Sequence, residues 1–207
     1  MIRPLRLALS ILLLAFLGST ALAADGPGTK VVRTANDTIA ALLKQKVKPK
    51  SDEETKLAAK VTTSVRDFLD VDLLGQRALV DHWKTMKTDE QTELLGTLRA
   101  LIEDSYIKGL RANLDYAVAY VGESTQADGT LLVKTTITTK RRGRPLVIKV
   151  DYVLESQGGK LRCFDVKTDG VGLVENYRAQ FNKIINKDGV PGLIAKMKKK
   201  RASSAVN

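Results

Sequence analysis

The hydrophobic period of this chain changes twice, and these changes predict its fold. From Thr29 to about Asn113 the apolar residues recur every three or four positions, which is typical of amphipathic helices. From Tyr116 the period falls to two, which indicates strands, and it returns to the helical value beyond Asp169-Gly170. Helices, then consecutive strands, then helices are an α+β order. We therefore expect one curved sheet covered by several helices.

Local signals mark where the first helices begin and end. Pro49 ends a helix predicted at 29–46. The patterns Ser51-x-x-Glu54 and Thr88-x-x-Gln91 are capping boxes that open a second helix and the longest one, with a short helix at 72–82 between them. The longest helix has a wide apolar face, made of Leu94, Leu95, Leu98, Leu101, Ile102 and Tyr106.

Three short connections join four predicted strands. They are Asp128-Gly129, the basic turn 140–145 and Gly158-Gly159. Connections of hairpin length imply a four-stranded antiparallel meander. The alternation assigns one apolar face to Val133, Ile137, Leu146, Ile148, Val150, Tyr152, Leu154, Phe164 and Val166. Asp151 and Asp165 fall on the opposite face.

The chain after residue 171 predicts two further helices. The first carries a clean apolar stripe of Val174, Tyr177, Phe181, Ile184 and Ile185. Gly189, Pro191 and Gly192 then break the chain before a last short helix and a basic tail. We expect this tail to be solvated, with attraction to acidic partners or anionic lipid as the functional alternative.

The N terminus has the pattern of a secretory signal peptide. Arg3 and Arg6 precede an apolar run, Leu7–Leu17, and Ala21-Leu22-Ala23 is a small-residue cleavage site. We predict cleavage after Ala23. A retained anchor is the alternative, but this run is shorter than the roughly 20 residues that span a bilayer.

The predicted organisation is a signal peptide at 1–23 and a single domain at 24–207. The domain divides into a helical part at 29–114, a sheet at 116–168, C-terminal helices at 171–200 and the basic tail at 196–207. The whole chain has a formal net charge of +11. For an exported protein, this charge favours an anionic membrane surface or an acidic protein partner over nucleic acid.

Few residues could support catalysis or bind a metal. The chain has one histidine, His82, and one cysteine, Cys163, far apart in the sequence, so neither a zinc site nor a thiol–imidazole pair is expected. The clustered Asp67, Asp70 and Asp72 are better explained by helix ends and turns. We predict no catalytic residue and no metal ligand. An apolar sheet face opposite apolar helices forms either a filled core or a pocket, and periodicity leaves both open.

A set of motifs between residues 50 and 200 resembles one known family. These motifs are Asp165-Val166, Asp169-Gly170-Val171, the helix start Asn176-Tyr177-Arg178-Ala179-Gln180-Phe181, Ile184-Ile185, the segment 189–194, Val150-Asp151-Tyr152, and Arg77 with Trp83. Together they are similar to the MlaC-type periplasmic phospholipid-binding proteins, auxiliary components of a lipid-trafficking (toluene-tolerance) ABC transporter. Val80, Asp89, Leu161 and Gly172 depart from the pattern of that family.

The resemblance implies a periplasmic, non-enzymatic carrier without a cofactor. Its cargo would be a glycerophospholipid, passed between an outer-membrane lipoprotein complex and an inner-membrane ABC transporter with a periplasmic substrate-binding domain. The expected lipid pocket consists of Trp83, Leu98, Leu101, Tyr106, Val133, Ile137, Ile148, Val150, Tyr152, Phe164, Val166, Val174, Tyr177 and Phe181. The alternatives are a small-pocket enzyme of an isomerase-like cone fold and a structural or chaperone-like periplasmic module. The first alternative needs a buried acid–base pair, which the apolar strand positions argue against.

Overall fold

The computed structural model describes residues 25–48, 50–112, 116–141 and 143–205, and it describes no side chains at 105–112, 141, 204 and 205. The predicted signal peptide therefore lies outside the described residues. The helices are α1 (Pro27–Leu43), α2 (Asp52–Phe68), α3 (Val71–Ala78), α4 (Thr88–Ala112) and α5 (Leu173–Ala205), with a 3-10 turn at Trp83–Thr85. The strands are β1 (Tyr116–Thr125), β2 (Leu131–Arg141), β3 (Arg144–Gln157), β4 (Lys160–Thr168) and β5 (Val171–Gly172).

The sheet is an antiparallel meander in the order β1-β2-β3-β4-β5. The α+β prediction is confirmed, but the predicted count of four strands omits the two-residue β5, which is too short to show a period. A bulge interrupts β1, since Tyr120 pairs with Thr135 while Gly122 pairs with Lys134. The short segment between α2 and α3 adds a parallel bridge from Leu69 to Cys163.

The two predicted capping boxes have different outcomes. The Ser51 side chain accepts a hydrogen bond from the backbone of Glu54 (3.2 Å), so the first box forms as predicted at its N-cap. At α4, Glu90 rather than Gln91 turns back, accepting from the Lys87 backbone at 3.0 Å. Gln91 instead donates to the carbonyl of Trp83, at 2.7 Å. The prediction of a Thr88-x-x-Gln91 box is wrong by one residue, because the helix begins at Thr88 itself, one residue earlier than a Thr88 cap requires.

Helix α1 is fixed to the sheet at its first turn. The carboxylate of Glu123 on β1 accepts hydrogen bonds from the backbone N–H of Thr29 (2.6 Å) and from its hydroxyl (2.8 Å). Gly26 precedes this helix and provides no side-chain cap, so Glu123 takes that role from another element. A Cβ at Gly28 would lie 3.0 Å from a methyl group of Val133, so a small residue allows the close approach of α1 to β2.

The predicted break at Gly189 is confirmed as a kink inside α5. Gly189 has φ 70° and ψ 178°, a conformation that favours glycine, and Pro191 follows within the helix. The second arm of α5 is longer than predicted, reaching Ala205. It joins the main core because Leu193, Ile194 and Met197 are buried with residues of α4. The predicted basic tail is therefore largely helical up to Ala205.

The buried carboxylate of Asp70 lies where the end of α2, the start of α3 and strand β4 meet. Asp70 caps α3 by accepting from the backbone of Leu73 (3.0 Å), and it pairs with Arg162 of β4 at 3.1 Å. Arg162 also donates to the carbonyl of Arg66 in the last turn of α2 (2.8 Å) and to that of Leu69, the C-cap residue after it (2.7 Å). These contacts show a helix-end role for Asp70, as predicted, and they join α2, α3 and β4.

Candidate functional site: the inner face of the sheet

One half of the inner sheet face is a filled core. Here we call it the packed half, and it consists of Val133, Val150, Tyr152, Leu154 and Cys163, all at most 8% exposed. It is covered by α1 and α2, and Phe68 of α2 meets the ring of Tyr152 edge to face at 5.8 Å between centroids. Three predicted pocket residues, Val133, Val150 and Tyr152, therefore belong to tightly packed protein.

The other half of the same face is only partly buried. We call it the partly exposed half, and its hydrophobic residues are Tyr116, Val118, Tyr120, Ile137, Leu146 and Ile148. Ile137 pairs with Ile148 on one side and with Val118 on the other, so three strands contribute to one apolar surface. Two predicted pocket residues, Ile137 and Ile148, lie here.

Polar side chains border this surface on the α1 side. The amide of Asn36 donates to the hydroxyl of Tyr120 at 3.2 Å. The guanidinium of Arg33 lies over the ring of Tyr120, 3.9 Å from its centroid, and is held by Asp25 at 2.6 and 3.0 Å. Burial raises the pKa of Tyr120 and of Tyr116 above the usual value for tyrosine.

A lateral cleft of about 610 Å³ opens between α1, α2 and the turn between β3 and β4. Val31, Ala35, Phe68 and Leu161 give it an apolar floor, while Lys30 and Lys160 are among its polar lining residues. Sequence reasoning missed this cleft. Each element contributes only a few residues, and α1 and the β3–β4 turn are more than 100 positions apart, so no local pattern marks it.

A second group of predicted pocket residues lies between α4 and α5. Leu98, Leu101, Tyr177 and Phe181 line a small cavity of about 100 Å³ together with residues of the second arm of α5. The rings of Tyr177 and Phe181 are 5.3 Å apart. The structure thus brings these four residues together, but in a layer between helices and not in one pocket with the strand residues.

The predicted inward direction of Phe164 is wrong. A bulge in β4 leaves Val153 paired with Asp165 and Leu154 paired with Cys163, so Phe164 is an extra residue between them. Its ring lies under the guanidinium of Arg77 (5.0 Å), in a cleft of about 460 Å³ on the outer face that Val174 also lines. Val166, beyond the bulge, pairs with Tyr152 and packs against the core as predicted.

The two remaining predicted pocket residues have different outcomes. Trp83 is partly buried and packs against the main core, at the 3-10 turn before α4. Tyr106 lies on α4, but its side chain is outside the described part of the chain. The place of Tyr106 in a lipid pocket therefore stays a prediction.

The polar groups that could have supported chemistry are used in structural contacts. Asp165 accepts from the backbone of Val174 at 3.1 Å, which caps the start of α5. Burial raises the pKa of the Cys163 thiol far above its usual value, so it is not an activated nucleophile. His82 lies 3.1 Å from the side chain of Asn182. Among the described residues, no group of three or more potential ligands could hold a metal ion.

A helix that crosses a bilayer needs about 20 predominantly apolar residues. Within the described ranges, none of the helices combines the length and apolar character needed to cross a bilayer. The longest of them, α5, is broken at Gly189 and rich in lysine in its second arm.

Comparisons with known proteins agree with this fold. The chain is 22% identical over 191 residues to the intermembrane phospholipid transport system binding protein MlaC of Haemophilus influenzae, covering 91% of this chain and 89% of that protein. The solved structure of a phospholipid-binding protein from Ralstonia solanacearum, in complex with a phospholipid, superposes with a TM-score of 0.69 at 24% identity. That match covers 85% of this chain and 97% of the other, and it shows a shared fold. The family model described as MlaC protein matches residues 33–199, and the chain therefore belongs to the MlaC family.

Proposed function

We propose that this protein is a non-enzymatic carrier that holds the acyl chains of a glycerophospholipid against the partly exposed half of the inner sheet face. The observation that carries the proposal is the incomplete burial of Ile137 and Ile148, which continue the same strand faces as the buried Val133 and Val150. A sheet face built only to support a core has no need to leave this surface incompletely covered. The names of the two relatives support phospholipid as the cargo.

The size of an acyl chain explains why a sheltered surface is needed. Two chains contain roughly 30 methylene groups, and each contributes about 0.8 kcal/mol when it is removed from water. A polar surface patch provides no such shelter, whereas an apolar sheet face that helices partly cover does. No cofactor is required, because binding and release involve no bond cleavage.

The proposed setting is the periplasm. The signal-peptide pattern supports export, and the name of the Haemophilus relative supports traffic between membranes. The partners would be an outer-membrane lipoprotein complex and an inner-membrane ABC transporter with a periplasmic substrate-binding domain. Cleavage after Ala23 would remove Arg3 and Arg6 and lower the net charge from +11 to +9. That remaining charge would assist encounters with acidic partners or anionic lipid at low ionic strength.

The enzyme alternative finds less support in the described residues. An isomerase-like site needs a buried acid–base pair within reach of a pocket. The buried carboxylates Asp70 and Asp165 cap helices, and Glu103 is bound by Arg66 at 2.6 and 2.9 Å. These groups have structural partners and lie outside the partly exposed half, which favours a carrier.

Two variants of neighbouring residues on β3 test the proposal. Ile148 is on the inner face, while Val147 is on the outer face and 61% exposed. The mature wild-type protein, purified from its host and examined by native mass spectrometry, should carry phospholipid. Ile148→Asp should lose it, and the matched control Val147→Asp should retain it.

Two results would contradict the proposal. A wild-type protein that carries no lipid and takes up none from vesicles would exclude a carrier function. Equal retention of lipid by the folded Ile148→Asp and Val147→Asp variants would place the cargo away from the inner face. Thermal unfolding of each variant separates loss of lipid from loss of fold.

A further inference from the structure

We infer that Tyr120 and Asn36 form a hydrogen-bonding site for the ester carbonyl groups of the cargo, at the border between the apolar surface and the solvent. The inference rests on the proposed function and adds a chemical requirement to it. A carrier that holds only acyl chains would accept any lipid of suitable length. A carrier with this site would select lipids whose chains are joined by esters.

The position of Tyr120 fits a contact near the top of the acyl chains. Its side chain lies on the inner face of β1. Tyr120 pairs with Thr135 of β2, and Ile137 is two positions further along that strand. The strand β1 is the edge of the sheet, and the side chain is only partly buried. The ester groups of a phospholipid lie between its chains and its charged headgroup, so they require this kind of border position.

The hydrogen-bond directions leave Tyr120 with a proton to donate. Asn36 is the donor to the tyrosine oxygen, at 3.2 Å, so this bond does not use the hydroxyl hydrogen. An ester carbonyl accepts hydrogen bonds and donates none. A tyrosine hydroxyl is protonated and able to donate at physiological pH, and burial raises the pKa of Tyr120 further above that range.

The ring of Tyr120 is held in place by its neighbours. Arg33 lies over it at 3.9 Å from the ring centroid, and Asp25 fixes the guanidinium through two hydrogen bonds. Arg33 and Asn36 are three positions apart on α1, so one helix orients both the ring and its hydroxyl. A preoriented donor loses less entropy on binding than a free side chain.

Ester-linked and ether-linked phospholipids distinguish this site from a phosphate site. The two lipids share the phosphate, headgroup and chain length, but the ether lipid has no carbonyl group. Wild-type protein is offered an equal mixture of dipalmitoyl phosphatidylglycerol and its dihexadecyl ether analogue, and the bound ratio is read by native mass spectrometry. If the ester lipid gains one hydrogen bond that the ether lipid lacks, its affinity should be about fivefold higher.

The variants then assign that preference to the proposed residues. Tyr120→Phe removes only the hydroxyl, and the ratio should fall close to one. Asn36→Leu should also lower it, because the tyrosine hydroxyl loses its fixed orientation. The control is Thr92→Val, which removes an exposed hydroxyl on α4 that donates to the carbonyl of Thr88 and should leave the ratio unchanged.

The outcomes separate this inference from the proposed function. Equal binding of both lipids by the wild type overturns the inference and leaves the carrier intact. Binding of neither lipid overturns the carrier itself. A preference that survives in Tyr120→Phe overturns the assignment to Tyr120. If that variant does not fold, the ratio measured for Asn36→Leu decides in the same way.

Discussion

The packed half and the partly exposed half of the inner sheet face are built from the same strands and similar residues, yet their burial differs. Val133 and Ile137 lie four positions apart on β2 and point to the same side, but Val133 is fully buried while Ile137 is only partly so. The same contrast separates Val150 from Ile148 on β3. Alternation along a strand therefore sets the direction of a side chain, and the covering helices set its burial.

The largest difference should follow from a buried charge. Val133→Asp places an unpaired carboxylate in the packed half, which should cost several kcal/mol and unfold much of the protein at 25 °C. Ile137→Asp, on the same strand and the same face, keeps access to water and should cost much less. Chemical denaturation of both variants measures the difference. Equal losses of stability would show that the two halves are packed alike.

A bulky substitution should give a smaller contrast in stability. Val150→Trp overfills the packed half and should destabilise the fold by about 1–3 kcal/mol. Ile148→Trp adds volume where the face is partly uncovered, so the fold should tolerate it while less lipid is bound. Thermal unfolding and lipid content are measured for both variants. A stable Val150→Trp variant that has lost its lipid would move the lipid site into the packed half.

The smallest effect concerns the helix that covers the packed half. Glu123→Ala removes the acceptor at the start of α1 and should cost about 1 kcal/mol, the usual value for a helix cap. Amide hydrogen exchange should increase in the first turns of α1 and little elsewhere. Glu175→Ala, at an exposed position in the first turn of α5, is the control. Unchanged exchange in α1 would show that other contacts hold this helix.

Much of the fold could be predicted from the sequence because its signals are local. The change of period separated helices from strands, the short turns predicted the meander, and Gly189 predicted the break in α5. The inner direction of Ile137, Ile148 and their neighbours also followed from alternation. These features depend on residues a few positions apart.

The parts that could not be predicted depend on distant residues. Glu123 reads as an ordinary charged residue of a strand, and only the fold brings it to Thr29, 94 positions away. Val150 and Ile148 have the same pattern in the sequence, so their different burial is decided by α1 and α2. The four residues between α4 and α5 share the apolar character of the strand face, and composition alone could not separate the two groups.

The bulge at Phe164 makes strand length as important as composition. Because this one extra residue reverses the alternation, Cys163 and Val166 share the inner side although three positions separate them. Deleting Phe164 would keep nearly the same amino-acid composition and restore a strict two-residue repeat, in which Cys163 and Val166 still share the inner side while the side chain that meets Arg77 is lost. In an alignment of homologous chains, the position of a single gap in β4 therefore decides which residues are aligned with the interior positions Cys163 and Val166.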